Sequence, residues 1–181
     1  MLDPSFYDYY ADYDYMLICQ PDAYVFRDEL QEWVNKGYHY VGASWIPTEF
    51  YWKRTWGVLR QRVRRLFKLD YAEVPQYFKY FAVGNGGFSL RHIQTIRQIA
   101  VDDAPIISKA NCFEDFYIGV VAPNTHPKLR IPHWKEALKF SFEQSLEHCY
   151  RLNNHQLPFG CHYWNRPKNY DRFWKRFISI E

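Results

Sequence analysis

Apolar and aromatic positions along the chain alternate between helical spacing and short unbroken runs. Asp3-Pro4 is a helix start, with aspartate as N-cap and proline in the first turn, and Phe6, Tyr9, Tyr10 and Tyr13 follow at helical spacing, which predicts a helix over 4–12. Tyr15-Met16-Leu17-Ile18-Cys19 is a continuous apolar run, the pattern of a strand buried on both faces in a mostly parallel sheet. It stops at Gln20-Pro21-Asp22. Asp28 then precedes a segment with Leu30, Trp33 and Val34 on one face and Gly37 at its end, a capped helix, and a strand follows over 38–43. Beyond Trp56, Leu59, Val63, Leu66 and Phe67 share one helical face while arginines occupy the others.

The pattern at 80–90 is strand, glycine turn, strand: Tyr80-Phe81-Ala82-Val83, Gly84-Asn85-Gly86-Gly87, Phe88-Ser89-Leu90. Ile93, Ile96 and Ala100 predict the next helix, and another begins near Glu114-Asp115, where acidic side chains favour the positive end of the helix dipole. Residues 134–143 fit helix and strand equally, and 169–178 predicts a helix that buries Phe173, Trp174 and Phe177. Strands alternating with helices make the class α/β.

Composition narrows the function classes. The 181 residues, 48% hydrophobic and 24% charged, suit one domain with a real core and exclude disorder and a collagen-like chain. The net charge of +3 does not demand nucleic acid, and no aromatic-basic motif of a nucleic-acid reader is present, so nucleic acid is not an expected partner. That charge is local. Lys53, Arg54, Arg60, Arg62, Arg64, Arg65 and Lys68 fall in a stretch without a single acid; without them, 16 basic against 20 acidic residues leave the rest at −4. The stretch predicts a basic helical insertion at about 53–70, either solvated or docked on an anionic membrane or an acidic partner. Apolar runs long enough to span a bilayer and the pattern of a signal peptide are both missing, so the expected location is cytoplasmic or peripheral to a membrane. Cys19, Cys112, Cys149 and Cys161 form no C-x-x-C pair and read as free thiols. Aromatic residues make up 20% of the chain, enough for a core, a sugar-stacking cleft or an interface.

Four groups of residues carry candidate chemistry. Asp22 follows the end of a strand, where a carboxylate can hold a hard cation or simply make a turn. Gly84-Asn85-Gly86-Gly87 permits positive φ and close backbone approach to a ligand; it is neither a Walker loop nor a dinucleotide fingerprint, and a tight Asn-Gly hairpin is the alternative. Glu114 and Asp115 lie among Phe113, Phe116 and Tyr117; an apolar surround makes a carboxylate a better base, and helix capping is the plainer role. His162, in Phe159-Gly160-Cys161-His162-Tyr163-Trp164, is a metal ligand or a structural histidine.

In this order the four groups resemble the recurring elements of GT-A fold glycosyltransferases. The longer segments Cys19-Gln20-Pro21-Asp22-Ala23-Tyr24-Val25-Phe26, Val83-Gly84-Asn85-Gly86-Gly87-Phe88-Ser89-Leu90-Arg91 and Leu157-Pro158-Phe159-Gly160-Cys161-His162-Tyr163-Trp164 look like a glycosyltransferase-like family known as a numbered domain of unknown function. The resemblance implies a GT-A-like (Rossmann-like) mixed sheet flanked by helices. It puts Asp22 and His162 on a divalent metal (Mn²⁺ or Mg²⁺), Asp115 at the catalytic base with Glu114 beside it, and Gly84, Asn85, Gly86, Gly87 and Trp164 on donor or acceptor. The implied reaction transfers a sugar from a nucleotide-sugar donor to an acceptor hydroxyl, with inversion. Trp45, Trp134 and Tyr163 join Trp164 as candidates for stacking on sugars. Gln20 replaces the first carboxylate of the D-x-D motif, so the ion would rest mainly on Asp22, His162 and the donor pyrophosphate. The first strand leads directly to Asp22, so the resemblance also implies an N-terminally truncated domain without the nucleotide-binding unit. A catalytically inactive carbohydrate-binding or interaction module is the alternative function.

Overall fold

The computed structural model describes residues 1–47, 81–110 and 112–179. The basic segment at 53–68, the helical face from Leu59 to Phe67 and the start of the strand at Tyr80 lie outside the described residues. What is described is a mixed α/β arrangement of small open sheets and helices. No described helix is long and apolar enough to cross a membrane.

Helix α1 spans Pro4–Asp8, and the Asp3 carboxylate accepts the Ser5 N–H at 2.9 Å as the sequence predicts. It ends four residues early. The residues that would extend it bury little, with Tyr9 83% and Tyr13 66% exposed, and the chain turns through i→i−3 bonds instead. The buried member of the helix is Tyr7, not the expected face of Phe6, Tyr9 and Tyr10.

Strand β1 occupies Tyr15–Cys19, the bounds of the apolar run. Its setting differs from expectation. It is a half-buried edge strand, antiparallel to the central β6 (Phe88–His92), which also pairs antiparallel with β3 (Tyr40–Val41). An apolar run therefore marked a half-buried strand at the edge of its sheet among the described strands, while β6, paired on both sides, carries Ser89 and Arg91 on buried positions. Helix α2 (Leu30–Asn35) turns Trp33 inward and ends before Gly37 at φ 64°, although Glu29, not Asp28, stands at its N-cap. The strand expected over 38–43 is interrupted: after β3, Gly42 faces the Gly84 carbonyl, which a Cβ would approach to 2.0 Å, and β4 (Ala43–Ser44) pairs with β5 (Val83–Gly84) in a second sheet.

Helix α3 (Ile93–Asp102) follows β6 directly and buries Ile93, Ile96, Ile99 and Ala100; α4 (Ala104–Ile107) is a short continuation. Helix α5 (Glu114–Phe116) runs through a π-helical turn at Tyr117–Val121 into α6 (Ala122–Thr125). The ambiguous segment is both things in turn, helix α7 (Trp134–Phe140) and then strand β7 (Ser141–Phe142). After α8 (Leu146–Leu152), the strand β8 (Gly160–His162) pairs parallel with β7 and antiparallel with β2 (Ala23–Val25). The last predicted helix begins at Pro167 as α9 (Pro167–Arg172) and breaks at Phe173, leaving a 3-10 turn at Trp174–Arg176; Phe173 and Trp174 are buried and Phe177 only partly. Among the described strands, β7 with β8 is the single parallel pair, so the expected mostly parallel sheet is not what these residues form.

Two apolar clusters hold the fold. One gathers Tyr7, Trp33, Tyr40, Phe88, Phe140 and Phe159 around the β1-β6-β3 sheet. The other gathers Ile46, Phe142, Cys161, Phe173, Trp174 and Ile178 behind the β2-β8-β7 sheet. Of the four thiols, Cys149 and Cys161 are buried, and burial pushes Cys149 up to about 12.

Candidate functional site

The end of β1 and the start of β2 make a reverse turn, with the Ala23 N–H donating to the Gln20 carbonyl at 2.9 Å. Because Ala23 is in register with His162 on β8, this turn sets Gln20 and Asp22 against the imidazole. His162 is 2% exposed, and its Nε2 lies 3.1 Å from both Asp22 Oδ1 and Gln20 Oε1. On the other side, Nδ1 stands 3.5 Å from Glu143 Oε1, within ion-pair range but without a formed hydrogen bond. Glu143 is held in turn by the Trp45 indole N–H at 3.0 Å. The Tyr163 ring stacks on the imidazole with centroids 3.7 Å apart.

The glycine turn packs against this group. Its strands β5 and β6 do not pair with each other, so it is not a hairpin; it hands the chain from one sheet to the next. Nor do its glycines take positive φ. Asn85 does, at 93°, with its side-chain oxygen accepting the Gly87 and Phe88 N–H groups at 2.9 and 3.3 Å. The glycines serve close approach instead. A Cβ on Gly84 would sit 2.0 Å from the Trp45 ring, one on Gly86 2.2 Å from Glu114 Oε1, and one on Gly87 2.1 Å from the His162 ring. The missing side chains leave room for the site's own residues.

Asp115 ties the acidic pair to the same turn. Its Oδ2 accepts the Asn85 and Gly86 N–H groups at 3.1 and 3.2 Å, and its Oδ1 accepts the Phe116 N–H at 2.8 Å. Burial first, and then the neighbouring Glu114, push its carboxyl above the ordinary aspartate value, against the pull of the amide bonds. Glu114 reaches back to Arg91 Nη2 at 3.5 Å. Arg91 is fully buried on β6, donates to the Tyr7 hydroxyl and Ser89 Oγ at 3.1 Å each, and underpins the acidic pair from inside the core.

These groups face one cleft of about 1460 Å³, lined among others by Gln20, Gly86, Gly87, Glu114, Asp115 and His162. Asp22 touches it through His162, while Gly84 and Asn85 are buried beneath the turn. Of the four aromatic candidates, Trp45 and Tyr163 line the cleft. Trp134 packs on Phe81, and Trp164 sits edge-on to Tyr24 and Tyr170, away from the cleft lining. Glu143 completes the site with no local motif to announce it; Arg91 closes the 83–91 segment and Trp45 is a stacking candidate, but neither motif indicates the support these two give to Glu114 and Glu143.

Among the described residues, no three His, Cys, Asp or Glu side chains converge closely enough to hold a metal ion. Asp22, His162 and the Gln20 side-chain oxygen do meet at one point, a donor set that fits an ion taking the rest of its shell from water or a bound phosphate.

The family model described as "Protein of unknown function (DUF5672)" matches residues 1–162, and the chain belongs to that family. No curated protein and no solved structure matches it.

Proposed function

We propose that this member of the family transfers a sugar from a nucleotide-diphosphate sugar to an acceptor hydroxyl, inverting the anomeric carbon. The observation that carries the reading is convergence. Residues 20–22, 84–87, 114–115 and 162, far apart in the chain, meet around one cleft, which brings carboxylates, an imidazole and bare backbone together.

In this reading Asp115 takes the proton of the acceptor hydroxyl as that oxygen attacks the anomeric carbon and the nucleoside diphosphate leaves from the opposite face. Three amide bonds aim its carboxylate, and burial beside Glu114 raises its proton affinity, as a general base requires. Asp22 and His162, with the Gln20 side-chain oxygen, would hold Mn²⁺ or Mg²⁺. When bound, such an ion neutralises charge growing on the departing diphosphate. Arg91 keeps Glu114 in place, and Tyr163 fixes the ring plane of His162.

The test is the full chain incubated with Mn²⁺ or Mg²⁺ and a panel of nucleotide sugars, scored for free nucleoside diphosphate and transferred sugar. Asp115→Asn should abolish turnover and spare donor binding; unchanged turnover removes Asp115 from the base role. A second reading, a binding module without turnover, is favoured by the fact that both Asp115 oxygens already accept amide bonds. Calorimetry showing glycan binding without nucleotide-sugar binding would select it. Docking on an anionic membrane through 53–68 is a separate proposal, and it is refuted if Arg60, Arg62, Arg64 and Arg65 all changed to Gln leave liposome co-sedimentation unaltered.

A further inference from the structure

The cleft carries both signs of charge. Glu114, Asp115 and Glu143 line it, and so do Arg151, Arg166, Lys168 and Arg172, which belong to the C-terminal segment. None of these four cations has an acidic partner among the described residues. Glu147, another acid of the lining, is paired with Arg176 at 2.7 Å. Lys168 and Arg172 are one helical turn apart on α9, Arg166 is its N-cap, and Arg151 comes from the last turn of α8. Like charges gathered on one cavity repel each other, and an entering anion relieves that repulsion.

One of the four is built into position. The Arg166 guanidinium lies over the Tyr163 ring, 3.3 Å from its centroid, and Tyr163 in turn stacks on His162. Tyr163 takes φ 58°, an unfavourable backbone for an aromatic residue, and the Asn169 side-chain N–H holds its carbonyl at 2.9 Å. The strain serves the stack. Arg166 is exposed and makes no side-chain hydrogen bond among the described residues, so its N–H groups are open to a two-oxygen partner.

We propose that Arg151, Arg166, Lys168 and Arg172 form an oxyanion subsite that takes a phosphate, diphosphate or carboxylate group of the ligand without a metal ion. The proposal rests on the sugar-transfer reading only for which molecule supplies the group, the donor diphosphate or an acidic acceptor. Gln20 fits this assignment, since a site with one carboxylate fewer at its cation corner gains from fixed positive side chains. The carboxylates of Glu114 and Asp115 repel the same group, so the ligand enters with its oxyanion toward Arg166 and its hydroxyls toward Asp115.

The test is titration calorimetry of the full chain in EDTA at low ionic strength with inorganic pyrophosphate, uridine diphosphate, a uronic-acid disaccharide and a neutral disaccharide. Arg151→Gln with Arg172→Gln should weaken binding by about tenfold for each cation lost. Arg166→Lys, which keeps the charge and loses the planar fork, should cost less, and Lys175→Gln outside the cleft should change nothing. Should the double variant fail to fold by circular dichroism, Arg166→Lys and Lys168→Gln carry the test. Wall-dependent binding of pyrophosphate and uridine diphosphate assigns the donor; wall-dependent binding of the acidic disaccharide alone assigns the acceptor, and both outcomes support the subsite. It is overturned if no anion binds in EDTA, or if binding ignores these substitutions. A chain that binds pyrophosphate through the wall but turns over no nucleotide sugar refutes the transfer reading and leaves the subsite standing.

Discussion

The Asp115 and His162 sides of the cleft hold their key groups by opposite means. Asp115 is gripped by backbone amides from the adjacent turn and its own helix start, over a buried arginine. The His162 ring is held by packing rather than by amides: Asp22, Gln20 and Glu143 stand around its nitrogens, Tyr163 lies on its face and the Gly87 backbone lies against it. Amide anchoring follows from the chain path and survives changes in distant packing. A ring wedged among side chains depends on every neighbour keeping its volume. The acidic side should therefore yield to loss of charge partners, and the histidine side to changes of shape.

The largest effect is expected behind the histidine side. Trp174 is fully buried in the second cluster and stacks on Phe26, so Trp174→Ala should lower unfolding free energy by about 3–5 kcal/mol in urea denaturation. Next comes Arg91→Met on the acidic side. It leaves the Tyr7 hydroxyl and Glu114 without their partner and should cost about 2–3 kcal/mol by the same measurement. A cost near zero would show that the acidic side does not rest on Arg91.

Gly87→Ala should act locally. The new Cβ meets the His162 ring at 2.1 Å and Gln20 Oε1 at 2.7 Å, so the imidazole must move. Its NMR signals should shift strongly and Mn²⁺ binding weaken, while far-UV circular dichroism stays unchanged; an undisturbed imidazole contradicts the packing account. The smallest effect is electrostatic. Asp115 binds its proton more tightly in the folded chain than the ordinary 3.8, so its contribution is full below that value and is lost as pH rises through the raised one. The stability difference between wild type and Asp115→Asn should therefore move against the wild type as pH climbs through that window. A flat difference would mean that burial and Glu114 do not act on this carboxyl.

The sequence made the ends of β1, the Asp3 cap and the buried face of α3 legible, because each is a local signal spread over several residues. Strands β4, β5 and β7 are two residues long, too short for any periodicity, and their pairings depend on partners across the chain. The same divide runs through the site. Asp22, Gly87, Asp115 and His162 stood out by residue type and order. Glu143 did not, since its bond to Trp45 spans 98 positions, and the burial of Arg91 depends on β6 being the central strand of its sheet. The glycine turn was readable as special but not for the right reason: conformational freedom falls to Asn85, and the glycines matter for what lies against them.

The central claim is that this cleft moves a sugar off a nucleotide diphosphate with Asp115 as base. Its most direct measurement is release of nucleoside diphosphate by the full chain with Mn²⁺, wild type beside Asp115→Asn, across a panel of nucleotide sugars and acceptors. Release with at least one donor, lost in the variant while that donor still binds, is the predicted result. A folded wild type that releases nothing from any donor, or a variant that turns over as fast as wild type, would contradict it.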